Sequence, residues 1–135
     1  MSMPLFQNVD CFGVQVPDID EGLDFYQRKL GQRLLWRTST SAGLAFAEAG
    51  EMPELVLHTE EWRIATAIKV ASVTQTVERI VAAGGTLVEE PSEIPIGLLA
   101  VVADPWRNHL VLLDSTKGKL QTDGDGNVVG VRPAA

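Results

Sequence analysis

Apolar residues early in the chain return on a helical period. Ile19, Leu23, Tyr26 and Leu30 fall at i, i+4, i+7 and i+11, which is one face of a helix. Asp18 stands just before them, where its carboxylate can accept from the free amides of a first helical turn. Glu21, three residues on, completes a capping box. Gly31 follows the last apolar position and suits the left-handed residue that closes a helix. The same arrangement returns 54 residues later, in the pairs Asp18/Ser72, Glu21/Gln75 and Gly31/Gly85. There Val73, Val77, Ile80 and Val81 form the apolar face. Two helices with the same start and stop chemistry predict an internal repeat.

Strand-like runs flank both helices. Cys11-Phe12-Gly13-Val14-Gln15-Val16 precedes the first, and Ala65-Thr66-Ala67-Ile68-Lys69-Val70 the second. Each half then adds three more runs. These are Arg33–Arg37, Gly43–Ala47 and Leu55–Leu57 in the first, and Thr86–Glu90, Gly97–Val101 and Leu110–Leu112 in the second. The last pair is offset by 55 residues because the connecting loops differ by one. The predicted architecture is α+β: two tandem βαβββ modules within a single domain, residues 1–135. Module 1 covers about 8–60, module 2 about 61–116, and residues 117–135 form a C-terminal hairpin or tail. Asp123-Gly124-Asp125-Gly126 is turn chemistry between Leu120-Gln121 and Val128-Val129. It is not a calcium loop, because the sixth position is Val128 and the twelfth Ala134, where glycine and glutamate are needed.

Composition narrows the function classes. A 45% hydrophobic chain can fill a core, and its net charge of −7, spread without runs, disfavours nucleic acid and anionic membranes as partners. The same charge favours a neutral or cationic ligand. Cys11 is the only cysteine, so neither an intramolecular disulfide nor a zinc-finger spacing exists. No apolar run approaches the length of a membrane span and no signal peptide is visible, so a cytoplasmic protein is expected. The nucleophile elbow, the phosphate loop, the dinucleotide fingerprint and the H-E-x-x-H zinc motif are all missing.

Two segments carry a resemblance. Val14-x-Val16-Pro17-Asp18 with Phe25-Tyr26 and Leu30-Gly31 resembles the opening pattern of the vicinal oxygen chelate superfamily, the glyoxalase/bleomycin-resistance/dioxygenase group. Asp104-Pro105-Trp106-Arg107-Asn108 before Leu110-Val111-Leu112 is similar to its closing segment. The resemblance spans about residues 8–116 and implies a cupped sheet, a small-molecule ligand and a homodimer. It also implies four metal-ligand positions on the strands. These fall on Cys11, on its repeat mate Ala65, on Val56 or Leu57, and on Val111. Alanine, valine and leucine donate no electron pair to a metal, so no metal and no cofactor are expected. Arg107 stands where the family has glycine, and the turn is expected to avoid positive φ there.

Alternation along strands indicates what lines the cup instead. Gly13 and Gln15 share the face of Cys11, Lys69 that of Ala65, and His109 that of Val111. Trp36, Phe46, Trp62 and Trp106 complete the candidate ligand-binding residues as planar or apolar contacts. His58 turns on register: it faces the cup if Val56 does and points away if Leu57 does. Each candidate also has an ordinary structural use, Cys11 as a small buried hydrophobe and the tryptophans as packing. Three functions remain: a metal-independent protein that sequesters a partly planar ligand; a lyase, isomerase or dioxygenase; or an interaction module whose cup is only core. The enzyme would use His58, His109 and Glu48 as a relocated metal site, or acid–base chemistry through His109 or Lys69.

Overall fold

The computed structural model describes residues 4–48, 50, 52–60 and 66–134. Among the described residues, ten strands and two helices follow in chain order. β1 (Phe6–Gln15) leads to α1 (Ile19–Leu23), which runs on as a π-type helix over Asp24–Lys29. Then come β2 (Arg33–Arg37), β3 (Ser41–Ala45) and β4 (Glu54–His58). The second half repeats the order with β5 (Thr66–Val70), α2 (Val73–Ala82), β6 (Thr86–Ile94), β7 (Gly97–Ala103) and β8 (His109–Leu113). β9 (Gly118–Thr122) and β10 (Val128–Pro133) pair as a separate hairpin.

β1 to β8 form one mixed sheet in the order β2-β3-β4-β1-β5-β8-β7-β6. β1 runs parallel to β4, β5 parallel to β8, and the antiparallel β1–β5 pair joins the halves. Both helices start as their capping residues predict: the Asp18 carboxylate accepts from the Glu21 amide at 2.8 Å, and the Ser72 hydroxyl from the Gln75 amide at 3.2 Å. Ile19 and Leu23 pack with Val16, Leu44, Leu55 and Leu57 beneath the first helix. Val73 and Val77 pack with Val70, Ala100, Val102 and Leu112 beneath the second.

The structure corrects several expectations. Leu30 and Val81 are exposed, because the π-type turn carries Leu30 off the apolar face and Val81 lies one position past it. Gly31 has the predicted left-handed conformation (φ 83°), but in the second half Gly84 takes it (φ 113°). Gly85 is needed for room instead, since a Cβ there would meet Ile80 Cγ2 at 2.6 Å and the Ala103 carbonyl at 2.7 Å. β3 ends at Ala45, leaving Phe46 and Ala47 outside it, while β6 runs on through Pro91 to Ile94, which an edge strand tolerates. Arg107 does adopt positive φ (71°), against the expected turn geometry. The C-terminal segment is a true hairpin rather than a loose tail.

Candidate functional site

The face of the sheet opposite the helices carries a third apolar cluster, made of Cys11, Val56, Ala67 and Leu113. They come from β1, β4, β5 and β8, the four central strands. Register aligns them: Cys11 pairs with Ala67, and Ala67 with Val111. Trp36, Ile94, Ile96 and Val111 pack against this floor. Trp36 lies on one edge strand and Ile94 on the other, each two strands from the cluster, roughly 10 Å in a flat sheet. Both reach it because the sheet curls around Cys11 into the predicted cup. Each floor residue is less than a tenth exposed, so these walls lie directly on the floor.

Trp36 arrives by way of a bulge. Leu34 pairs with Leu44 and Trp36 with Gly43, so one residue is extra between them. Leu34 thereby packs with the helix-side core and Trp36 with the cup, although strict alternation would put them on one face. The indole lies over Gly43, whose missing Cβ leaves it room, and its Nε1 donates to Glu54 Oε1 at 2.8 Å.

Because Val56 sits in the cup cluster while Leu55 and Leu57 sit under the helix, the register of β4 is settled. Glu54 and His58 share the face of Val56. His58 is buried, with Nδ1 2.6 Å from the Glu60 carbonyl oxygen. Burial pushes the Cys11 thiol up to about 12, helped by the negative charges of Asp10 and Glu54. Asp10 is itself raised by burial, an effect that nearby Lys69 opposes. A thiol held in its protonated form is neither a ready nucleophile nor a ready metal ligand.

Of the candidates, Cys11, Trp36 and Val111 come together, and His58 joins their face. Gln15 and His109 are exposed near the ends of β1 and β8, and Lys69 is half-buried on β5. Trp106 is 80% exposed in the β7–β8 turn. Phe46 lies on the wall of a different, open depression of about 850 Å³ with Asn8, Glu48, Met52 and Pro53. Trp62 and Ala65 lie outside the described residues. In β5 the residue in register with Cys11 and Val111 is Ala67. Glu54, Ile94 and Ile96 were missed. The alternation that places Val56 would also have placed Glu54, but the two isoleucines lie at the end of and beyond a strand whose length was underestimated.

The metal positions implied by the resemblance thus carry Cys11, Val56 and Val111, with Ala67 as the register-matched residue of β5. This donor set does not fit a divalent ion. Among the described residues no three His, Cys, Asp or Glu side chains converge, so His58, His109 and Glu48 do not form a relocated site.

The family model of the Glyoxalase/Bleomycin resistance protein/Dioxygenase superfamily matches residues 8–112. The chain belongs to this superfamily. Its fold is similar to methylmalonyl-CoA epimerase from Mycobacterium tuberculosis, at 18% identity and a TM-score of 0.64, over 84% of this chain and 91% of that one. It is also similar to the Mn(II)-bound glyoxalase from Novosphingobium aromaticivorans, at 19% identity and a TM-score of 0.56, over 97% of this chain and 43% of that one. An extradiol ring-cleaving dioxygenase from B. fuscum matches at 18% identity and a TM-score of 0.54, over 83% and 33%. No curated protein matches. At these identities the likeness is one of fold, shared with proteins named as an epimerase, a glyoxalase and a dioxygenase. No helix among the described residues is long and apolar enough to cross a membrane.

Proposed function

We propose that this chain binds a small, partly planar, neutral or cationic molecule in its cup without a metal. The observation that supports this most is the chemistry of the floor and of Val111 beside it: Val56, Ala67 and Val111 have no donor atom, and burial raises the pKa of the Cys11 thiol. Trp36 supplies a planar wall, and the Glu54 carboxylate bonded to it supplies negative charge beside that wall. An aromatic face with an adjacent carboxylate suits a flat cation, and the net charge of −7 would draw one in. Such a ligand would slide between Trp36 and the Ile94–Ile96 wall and take over their contacts with the floor.

A second reading has its own observation. The floor residues are already covered by side chains of the chain, which favours a cup that is only core, in an interaction module.

A thermal-shift panel separates the two. It would contain planar aromatic cations, neutral aromatics, and zinc, nickel, manganese and iron(II) salts. At least one planar compound should stabilise the full chain, by about 2.7 kcal/mol at a hundredfold excess over its Kd. Glu54→Gln should weaken cations roughly tenfold, the effect of losing a charge-assisted contact, and leave neutral compounds unchanged. Tight binding of one equivalent of metal would sink the metal-independent reading, and silence across the planar compounds would favour the sealed core.

A further inference from the structure

The β9–β10 hairpin is tied to both walls of the cup. At its base, the amides of Lys117 and Gly118 donate to the Ile96 carbonyl at 2.8 and 3.3 Å, and Lys117 Nζ lies 3.1 Å from Glu93 Oε1. At its tip, the Arg37 amide donates to the Gly126 carbonyl at 2.8 Å, and Arg37 bridges Asn127. Ile96 follows β6, at one edge of the sheet, and Arg37 ends β2, at the other. In a flat sheet these edges would stand about 30 Å apart, whereas one arm of the hairpin spans only about 20 Å. The hairpin can hold both anchors only across the curl. Ile96 itself and Trp36, the neighbour of Arg37, both pack onto the Cys11 floor, so each anchor sits on a wall of the cup.

The two attachments differ in strength. The base is reinforced by the Gly118 amide donating to the Ser115 carbonyl at 3.1 Å and the Ala134 amide to the Lys117 carbonyl at 3.2 Å. The tip rests on the Arg37–Gly126 backbone hydrogen bond with the adjoining β-bridge to Asn127, and on Gly126, which lies against Leu34 with φ 86°. A Cβ on Gly126 would come within 2.9 Å of Leu34 Cδ2.

We infer that the C-terminal hairpin is a strap across the cup, hinged at Ser115–Gly118 and latched at Gly126–Arg37, whose release admits a small molecule to the floor. The purpose of that opening rests on the binding reading above; the opening itself does not. A segment held at one end by a few backbone contacts opens locally far more often than the whole chain unfolds.

Cys11 is a built-in reporter, being the only thiol and lying on the floor. Its alkylation by the neutral reagent N-ethylmaleimide can be followed on the full chain by peptide mass mapping, with global stability measured by urea unfolding. Gly126→Val puts a branched side chain where φ is positive and Leu34 is in the way, so it should release the latch. Alkylation of Cys11 should accelerate about tenfold or more, beyond any change in the population of unfolded chain. A disulfide between Arg37→Cys and Asn127→Cys should slow it by a similar factor. Unchanged rates in both variants, or an acceleration fully matched by lost global stability, would overturn the strap. No ligand enters the readout, so a failed strap leaves the binding reading standing, and a failed ligand panel leaves the strap.

Discussion

The two halves of the sheet place a glycine at the same point of the repeat and use the space beside it differently. In β3, Gly43 leaves room for the Trp36 indole and its hydrogen bond to Glu54. In β7, Gly97 leaves room for Asp114. The Asp114 carboxylate is buried and fully engaged: it accepts from the amides of Val73 at 2.8 Å and Leu98 at 2.9 Å, and from the amide and hydroxyl of Thr116. It thereby ties the start of α2, the start of β7 and the end of β8 together. The second half spends its glycine on a clamp, the first on an aromatic–carboxylate pair facing the cup. One repeat thus yields a half pinned by a buried carboxylate and a half that carries an aromatic–carboxylate pair.

Removing the clamp should have the largest effect. Asp114→Ala strands buried donors and is expected to cost roughly 3–5 kcal/mol in urea unfolding, far more than any single change at the Trp36–Glu54 pair. The pH dependence should agree. Burial alone would raise the Asp114 pKa, but the donors from Val73, Leu98 and Thr116 outweigh it and hold it below 3.8. A depressed carboxylate adds stability above its unfolded value, and that stability is lost as pH falls through the folded value. Unfolding measured from pH 6 downward should therefore show a drop below pH about 4 that is shallower in Asp114→Ala. Equal slopes would deny the clamp its role.

Adding a methyl to each glycine tests the comparison more finely. Gly43→Ala should cost about 1–3 kcal/mol and shift tryptophan fluorescence, because the indole must move. Gly97→Ala should cost more, since the Asp114 carbonyl carbon lies 2.9 Å from the added atom and backbone yields less than a side chain. The reverse order would mean that the first half is the stiffer one.

The smallest effect concerns two turns of the same design. In each, an aspartate binds the asparagine four residues on: Asn108 Nδ2 donates to Asp104 at 2.8 Å, and Asn127 Nδ2 to Asp123 at 3.2 Å. The residue before the asparagine has positive φ, and it is Gly126 in one turn and Arg107 in the other. Arg107→Gly should stabilise the chain by about 0.5–1 kcal/mol, read as a rise in Tm, by removing left-handed strain at a side-chain-bearing residue. A loss instead would show that the arginine makes a contact worth more than its strain.

Much of the candidate site was legible. Spacing and caps located both helices, and the family resemblance put Cys11 and Val111 in one cup, where they lie. Trp36 reached that face through a bulge, which no periodicity shows. The fate of His58 and Glu54 depended on the register of β4, since a one-residue slip flips a strand.

By itself the sequence determined what is local or repeated: the capped helices, the order of elements, the turn chemistry of the tail, and the side-chain chemistry of each strand. Those properties follow from short-range hydrogen bonding and from side-chain chemistry, which need no distant partner. Only the tertiary structure decided that Ala67 completes the floor, that Trp36 and Ile96 meet over it, and that the C-terminal hairpin joins the two sheet edges. These contacts link residues far apart in the chain, and their energy exists only once the sheet has curled and fixed its register.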